Sequence, residues 1–403
     1  MNILFWQHSN EVIFPTESYY FSKKDAQKIY SIVLKGALHQ SNGNEVNNLE
    51  KEFASYHGLR NSYATNSGTS ALELALRVLS IKPGDEIILP SYTLISTPHA
   101  VLENGGIPIF TDIDDTFTIA SSTIEKFITK RTRAIVVVHM FGNVADMDSI
   151  LSIAKKHKLF VIEDCCQAIG AEYRNKKVGT IGDIGCYSFS AKKAIFAGEG
   201  GMLIASNKLL NDKINYIKHE VENLHLAPDG DIQTIGHMHR MTEMQASLAR
   251  SILYQLDTLN QKRRQNYMYF NNFIDRSLPL IGYKILPNAN PSFSRLVFMI
   301  DFQKLKISRD WFIEKMQSQG IPMKTFYPHP LYSFSLFKYK RDRLLGSAFP
   351  FSYNRKVNYQ DLHLPFVELF CKNQVGMSFS PYLTEKHIQY LCQKLKHTLL
   401  MHS

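Results

Sequence analysis

Apolar positions along the 403-residue chain change period several times, and each change predicts an element. Residues 1–22 hold no sustained period and read as an irregular N-terminal arm. A helical pattern runs from about Lys23 to Leu38 and is broken by Ser41-Asn42-Gly43. Val46, Leu49, Phe53 and Tyr56 then recur at helical spacing until Gly58 stops them. From residue 61, short apolar runs alternate with helical ones. Strands are predicted at 62–65, 86–89, 107–111, 134–138, 159–162, 186–189 and 202–205, and helices at 71–79, 97–103 and 147–156. Short apolar strands alternating with helices predict an α/β fold whose mainly parallel sheet is covered on both faces. Right-handed crossovers follow from the twist of such a sheet. After a long helical stretch from about Thr242 to Ile274 the pattern changes. Residues 296–302 read as a strand of an exposed sheet, 309–319 as a helix stopped by Gly320, and 385–399 as a terminal helix. The expected division is an arm (1–22), a large domain (23–275) and a smaller C-terminal α+β domain (276–403).

Composition narrows the partners. Hydrophobic residues make up 44% and charged residues 20%, as in an ordinary soluble globular protein. No run reaches the roughly 18 apolar residues that span a bilayer, and the opening MNILFWQHSNEVIF lacks the basic start of a secretory signal. The five cysteines are few and odd in number, and Cys165 adjoins Cys166. Reduced thiols in a cytoplasm are therefore expected rather than a disulfide framework. No Cys or His cluster has zinc spacing, so no metal is expected. The net charge of +10 is spread over the chain, with small groups at 155–158, 262–264 and 338–343. No aromatic-basic motif accompanies them. Solvated faces that help to attract an anionic small molecule are expected, not nucleic acid or a membrane.

Three segments carry candidate chemistry. Asn66-Ser67-Gly68-Thr69-Ser70 lies between a strand and a helix. A new helix offers unpaired N–H groups and the positive end of its dipole, which suits a phosphate; a plain N-cap by Ser67 or Thr69 explains the same residues. Phe160 to Gln167 is an apolar strand ending in Glu163-Asp164, where ligands of open α/β sheets bind. An acid there can pair with a cationic ring nitrogen, or simply cap the next turn. Cys186 to Lys193 ends a buried-looking strand in two lysines, followed by Gly198-Glu199-Gly200-Gly201. A desolvated lysine can form a Schiff base, while two surface lysines before a glycine turn are the plainer reading. In combination, a phosphate turn, an acid at a strand end and a later lysine match what pyridoxal 5'-phosphate (PLP) requires: an anchor, a partner for the pyridinium and an amine.

The segments NSGTSALELAL, KPGDEIILPSYTLISTPHAV, VVVHMFGNVADMDSI, IEDCCQAIGAEYRNKKVGTIGDIGCYSFSAKK and GEGGML resemble the DegT/DnrJ/EryC1/StrS family of sugar aminotransferases, and the resemblance extends from about residue 20 to 395. It implies PLP fold type I, with a seven-stranded, mainly parallel sheet. It also implies that Gly68, Thr69, Ser70 and Ser188 bind the cofactor phosphate, that Asp164 pairs with the pyridinium, and that Gln167 lies close to the ring. The family's Schiff-base lysine stands five residues before GEGG, which selects Lys193 over Lys192. Two positions depart. Leu94 stands where the family has an aromatic residue stacked on the ring. Met238, in Gly236-His237-Met238-His239-Arg240, stands where the family has an asparagine that reaches the phosphate of the neighbouring subunit. Methionine cannot donate a hydrogen bond; Arg240 or a flanking histidine is the candidate replacement.

The implied function is transfer of an amino group from glutamate or glutamine to a keto sugar, nucleotide-linked in most of the family, by a homodimer with shared active sites. Three other readings stay open. The stretch LHLPFVELFCKNQVGMSFSPYLT also resembles the branch acting on cyclitols or aminobenzoate precursors. A PLP-dependent sugar dehydratase is opposed by Lys193, since such relatives carry histidine there. A non-catalytic protein of the PLP fold draws on Leu94 and Met238.

Overall fold

The computed structural model describes residues 12, 14, 15, 21–219 and 236–401, so most of the expected arm lies outside the described residues. The first helix, α1 (Lys23–Leu34), opens on a capping box between Ser22 and Asp25. It ends four residues before the sequence pattern does. Gly36 takes a left-handed φ of 64°, and the Ala37 N–H turns back to the Ile32 carbonyl at 3.1 Å. α2 (Glu45–Tyr56) buries Val46, Leu49 and Phe53, the stripe that its spacing predicts.

The alternating region contains β1 (Tyr63–Thr65), α3 (Gly68–Val78), β2 (Glu86–Pro90), α4 (Ser96–Glu103), β3 (Ile107–Thr111), a single turn α5 (Ser121–Ile124), β4 (Thr132–Val138), α6 (Met147–His157) and β5 (Phe160–Asp164). A small hairpin, β6 (Glu172–Tyr173) with β7 (Lys176–Lys177), precedes β8 (Ile184–Ser188), β9 (Gly201–Ala205) and α7 (Lys208–His219). Seven strands form one sheet in the order β1-β9-β8-β5-β4-β2-β3. The run from β8 to β3 is parallel, while β9 is antiparallel to both its neighbours. The expected mainly parallel α/β sheet is therefore present. From β2 the chain moves outward to β3, then returns to the other side of β2 for β4, β5 and β8. Strand order thus reverses between β2 and β4, and ligands bind beyond the carboxyl ends at such a point.

The stretch expected as one helix from Thr242 to Ile274 is two, α8 (Glu243–Leu253) and α9 (Leu256–Phe273), parted at Tyr254-Gln255. α8 packs on α2, whereas α9 packs on the last helix of the chain, and one straight rod cannot serve both surfaces. A second, antiparallel sheet has the order β10 (Leu280–Gly282), β12 (Arg295–Ile300), β13 (Gln374–Ser378). The intervening β11 (Ala289–Asn290) pairs with β6 instead and joins this half to the hairpin of the first. α10 (Arg309–Gln317), α11 (Ser335–Lys338), α12 (Pro365–Asn373) and α13 (Glu385–Leu400) complete the fold. Aromatic side chains weld the two sheets together: Phe370 of α12 meets Phe117 at 4.3 Å and Tyr92 at 4.8 Å between ring centres. Among the described residues no helix is long and apolar enough to cross a membrane. All five cysteines are free thiols.

Candidate active site

The phosphate-turn candidate begins α3. Ser67 caps the helix, its hydroxyl accepting from the Ser70 N–H at 3.0 Å, and the Ser70 hydroxyl donates to Asn66. The cap expected from the sequence is real, but it satisfies only one of the four N–H groups that a helix start leaves unpaired. Glycine is required at position 68 by space: a Cβ there would lie 2.7 Å from Ser188 Cβ and 2.9 Å from Cys166 Sγ. Ser188, at the end of β8, is thereby brought against the first turn of α3. Its hydroxyl lies 3.2 Å from that of Ser190.

At the end of β5, side-chain alternation separates the two acids. Glu163 is fully buried and accepts from the N–H groups of Gly179, Ile181 and Gly182 at 2.6–2.8 Å and from His139 Nε2 at 3.0 Å. Because the Ala145 N–H donates to His139 Nδ1, the ring proton sits on Nε2. His139, Glu163 and Cys165 form the metal-like donor cluster found among the described residues. In this arrangement Glu163 is a strut under the 179–182 turn. Asp164 points the other way. Its Oδ2 accepts from the Thr97 hydroxyl at 3.0 Å and its Oδ1 from the Cys166 N–H at 3.1 Å, so the carboxylate is held from two sides.

Lys193 follows β8 on the loop 189–200. It is half-buried, whereas Lys192 is exposed with a left-handed φ of 73°. The Lys192 carbonyl accepts from Arg295 Nη2 at 3.0 Å, so β12 of the second sheet grips the loop one residue before Lys193. Lys193, Arg263, Ser294, Arg295, Ser378 and Ser380 line one cleft between the sheets. Cys166 ties the three segments together. Burial and then the Asp164 carboxylate push its thiol well above the usual range, and the Lys193 ammonium opposes them.

Gln167 accepts from the Phe141 N–H at 3.2 Å and is hydrogen-bonded to Tyr327, whose phenol burial pushes up. Leu94 is 41% exposed on the loop between β2 and α4, and its carbonyl accepts from the N–H of Thr97. Arg240 turns to His39, with 2.6 Å between Nη1 and Nε2, rather than to the turn at 68–70. Its segment still reaches the turn through the backbone, since the Asn66 N–H donates to the His239 carbonyl at 2.9 Å. Met238 is 59% exposed. Thr97, Cys166, Tyr327, Arg263 and Arg295 are neighbours of the site, with no part in it assigned from sequence; they come from elements far apart in the chain, and folding alone brings them together.

The donor set fits PLP on chemical grounds. A helix start with a hydroxyl packed on a glycine suits a phosphate, a fixed carboxylate suits a pyridinium, and a lysine in a cleft suits an aldehyde. The Gly68 cradle, which a single extra carbon would fill, is the observation that makes the fit specific. Fold and site together define a PLP-dependent aminotransferase. The chain belongs to the DegT/DnrJ/EryC1/StrS aminotransferase family, whose model matches residues 21–396. It is 34% identical over 367 residues, 89% of each chain, to a UDP-N-acetyl-3-dehydro-α-D-glucosamine 3-aminotransferase of Acidithiobacillus ferrooxidans. It is 34% identical over 290 residues, 70% of this chain and 76% of the other, to a GDP-perosamine synthase of Caulobacter vibrioides. An aminotransferase structure from Psychrobacter cryohalolentis matches with a TM-score of 0.82 at 28% identity, covering 95% of this chain and 98% of that one.

Proposed function

We propose that the chain moves an amino group from glutamate or glutamine to a nucleotide-linked keto sugar, with Lys193 as the residue that holds the cofactor. When bound, PLP supplies an aldehyde for amines and a ring that accepts electrons from the adjacent carbon. The Gly68 and Thr69 N–H groups and the Thr69, Ser70 and Ser188 hydroxyls would hold its phosphate. Asp164, fixed by Thr97 and the Cys166 N–H, would keep the ring nitrogen protonated. Gln167, fixed by Phe141, would lie against the ring, and Leu94 would cover the other side as an aliphatic wall. Lys193 Nζ would hold the cofactor and carry the proton to and from the reacting carbon.

The observation that carries this reading is convergence: the α3 start and Asp164 both border Cys166, whose thiol also feels the charge of Lys193. The relatives' names supply the substrate class, since the two compared above are named for UDP-linked and GDP-linked sugars. A homodimer in the cytoplasm belongs to the same proposal. Its support is the exposed apolar row Tyr30, Val33 and Leu34 on α1, with Leu38 beyond it. The test is to incubate PLP-loaded protein with glutamate or glutamine and a panel of UDP- and GDP-linked keto sugars. Mass spectrometry should find an amino sugar and, with glutamate as the donor, one 2-oxoglutarate per turnover. Amination of a keto cyclitol but of no sugar would replace the substrate class, and loss of water in place of amination would replace the reaction.

A further inference from the structure

A second cavity, of about 520 Å³, lies away from the Lys193 cleft, beside the edge strand β3 and the amino-terminal ends of β2 and β4. Its volume is in the range of small-molecule sites. One wall is the segment between α5 and β4, with Lys126, Phe127, Lys130 and Arg131; the other is residues 354–362, with Lys356 and Tyr359. The four cations are exposed at the mouth, and Phe110 and Tyr359 are buried behind them.

The second wall is fastened rather than loose. Asn354 donates to Glu86 Oε1 at 2.7 Å, the Tyr359 hydroxyl donates to the Pro108 carbonyl at 2.7 Å, and Lys340 holds the carbonyls of Arg355 and Val357 at 3.0 Å each. The backbone of Arg131 is fixed in turn, its carbonyl accepting from the Glu86 N–H at 2.9 Å. The buried polar groups of the lining are Asn354 and the Glu86 carboxylate, which also accepts from Thr129.

We propose that this cavity is a second ligand site, for a nucleotide. An apolar slot with aromatic walls takes a flat base, and the carboxylate of Glu86 keeps lone pairs for N–H groups on the base edge. Four cations at the mouth take the phosphates. A bare phosphate would leave the apolar walls unused, and an uncharged ring would leave the cations unused. β2 links this site to the other: Glu86 starts the strand in this cavity, and Pro90 ends it about 13 Å away. From Pro90 the loop leads through Leu94 to Thr97, which holds Asp164.

The test is calorimetric titration of the PLP-loaded enzyme with UDP, with GDP and with inorganic diphosphate, in wild type and in the double variant Lys130→Glu/Lys356→Glu. Both residues are exposed, one on each wall, so the variant is expected to keep its fold and its rate of reaction with the amino donor alone. At least one of the two nucleotides should bind wild type at least tenfold more tightly than diphosphate, and the variant should lose at least tenfold of that binding. The same nucleotide isotherm in both proteins would overturn the proposal, because binding would then belong to the Lys193 cleft. Equal affinity for diphosphate and both nucleotides would overturn it as well. Neither outcome involves turnover, so a failure here is separate from a failure of the proposed activity.

Discussion

Arg295 of β12 donates from Nη2 to the carbonyl of Lys192 at 3.0 Å, so a strand of the second sheet holds the loop that carries Lys193. A hydrogen bond from a charged group contributes about 1.5–3 kcal/mol. Arg295→Ala is expected to lower kcat/KM by about 10- to 100-fold, on the conversion of 1.4 kcal/mol per tenfold, and to lower the unfolding midpoint too, because the lost bond also ties the loop to the second sheet. Steady-state kinetics beside a denaturant titration check this.

The Gly68 cradle predicts a steric effect. Gly68→Ala places a methyl 2.7 Å from Ser188 Cβ at the buried end of β8 and 2.9 Å from Cys166 Sγ just after β5. Overpacking of this kind costs about 1–3 kcal/mol, and here it falls on the proposed phosphate contact. Cofactor titration followed by visible absorbance should show affinity for PLP reduced by about tenfold or more. An unchanged dissociation constant would place the phosphate elsewhere.

Glu163 predicts a stability effect with no direct part in the chemistry. Its carboxylate collects three backbone N–H groups and His139 with no solvent access. Glu163→Gln turns one oxygen into an N–H₂ that faces donors. Loss of about 3 kcal/mol is expected from the unsatisfied groups, read as a lower denaturation midpoint. The result separates Glu163 from its neighbour Asp164, whose replacement by Asn should impair turnover far more than folding.

His57 predicts a pH effect. It is buried against Phe53, with ring centres 4.3 Å apart, and its Nδ1 lies 2.9 Å from the Phe53 carbonyl. Burial holds its pKa down at about 4 from 6.5. Between these values the unfolded chain binds the proton and the folded chain does not, so stability rises with pH across that window. The contribution is complete above pH 6.5 and is lost as pH falls toward 4, amounting to about 3 kcal/mol at 1.36 kcal/mol per pKa unit. His57→Phe should flatten the stability–pH curve between pH 6.5 and 4 relative to wild type, as measured by urea unfolding at each pH.

Much of the fold was legible because β strands buried on both faces leave an unmixed signal. The run Ala134–Val138 lies inside β4 (Thr132–Val138), and Cys186 to Ser188 lies inside β8. The break at Tyr254-Gln255 was not legible, since the apolar period runs through it and only the two packing partners of α8 and α9 require it. The hairpin β6–β7 was hidden for the opposite reason: its four residues are mostly polar and carry no period. For the proposed site, motif order gave only the sequence of a turn, an acid and a lysine, and the resemblance to the family named Gly68, Asp164, Ser188 and Lys193. The order did not say which of Glu163 and Asp164 is bound up under the 179–182 turn, because that depends on which way each side chain leaves the strand. Thr97 and Arg295 were invisible for a related reason, as each reaches the site from an element distant in sequence.

The account depends most on which amine holds the cofactor. The direct measurement is borohydride reduction of the PLP-loaded protein, followed by proteolysis and mass mapping of the peptide spanning Lys192 and Lys193. A pyridoxyl phosphate adduct on Lys193, absent from Lys192 and lost together with the visible absorbance in Lys193→Ala, is the predicted result. An adduct on Lys192 or on any other lysine, or visible absorbance retained in Lys193→Ala, would contradict it.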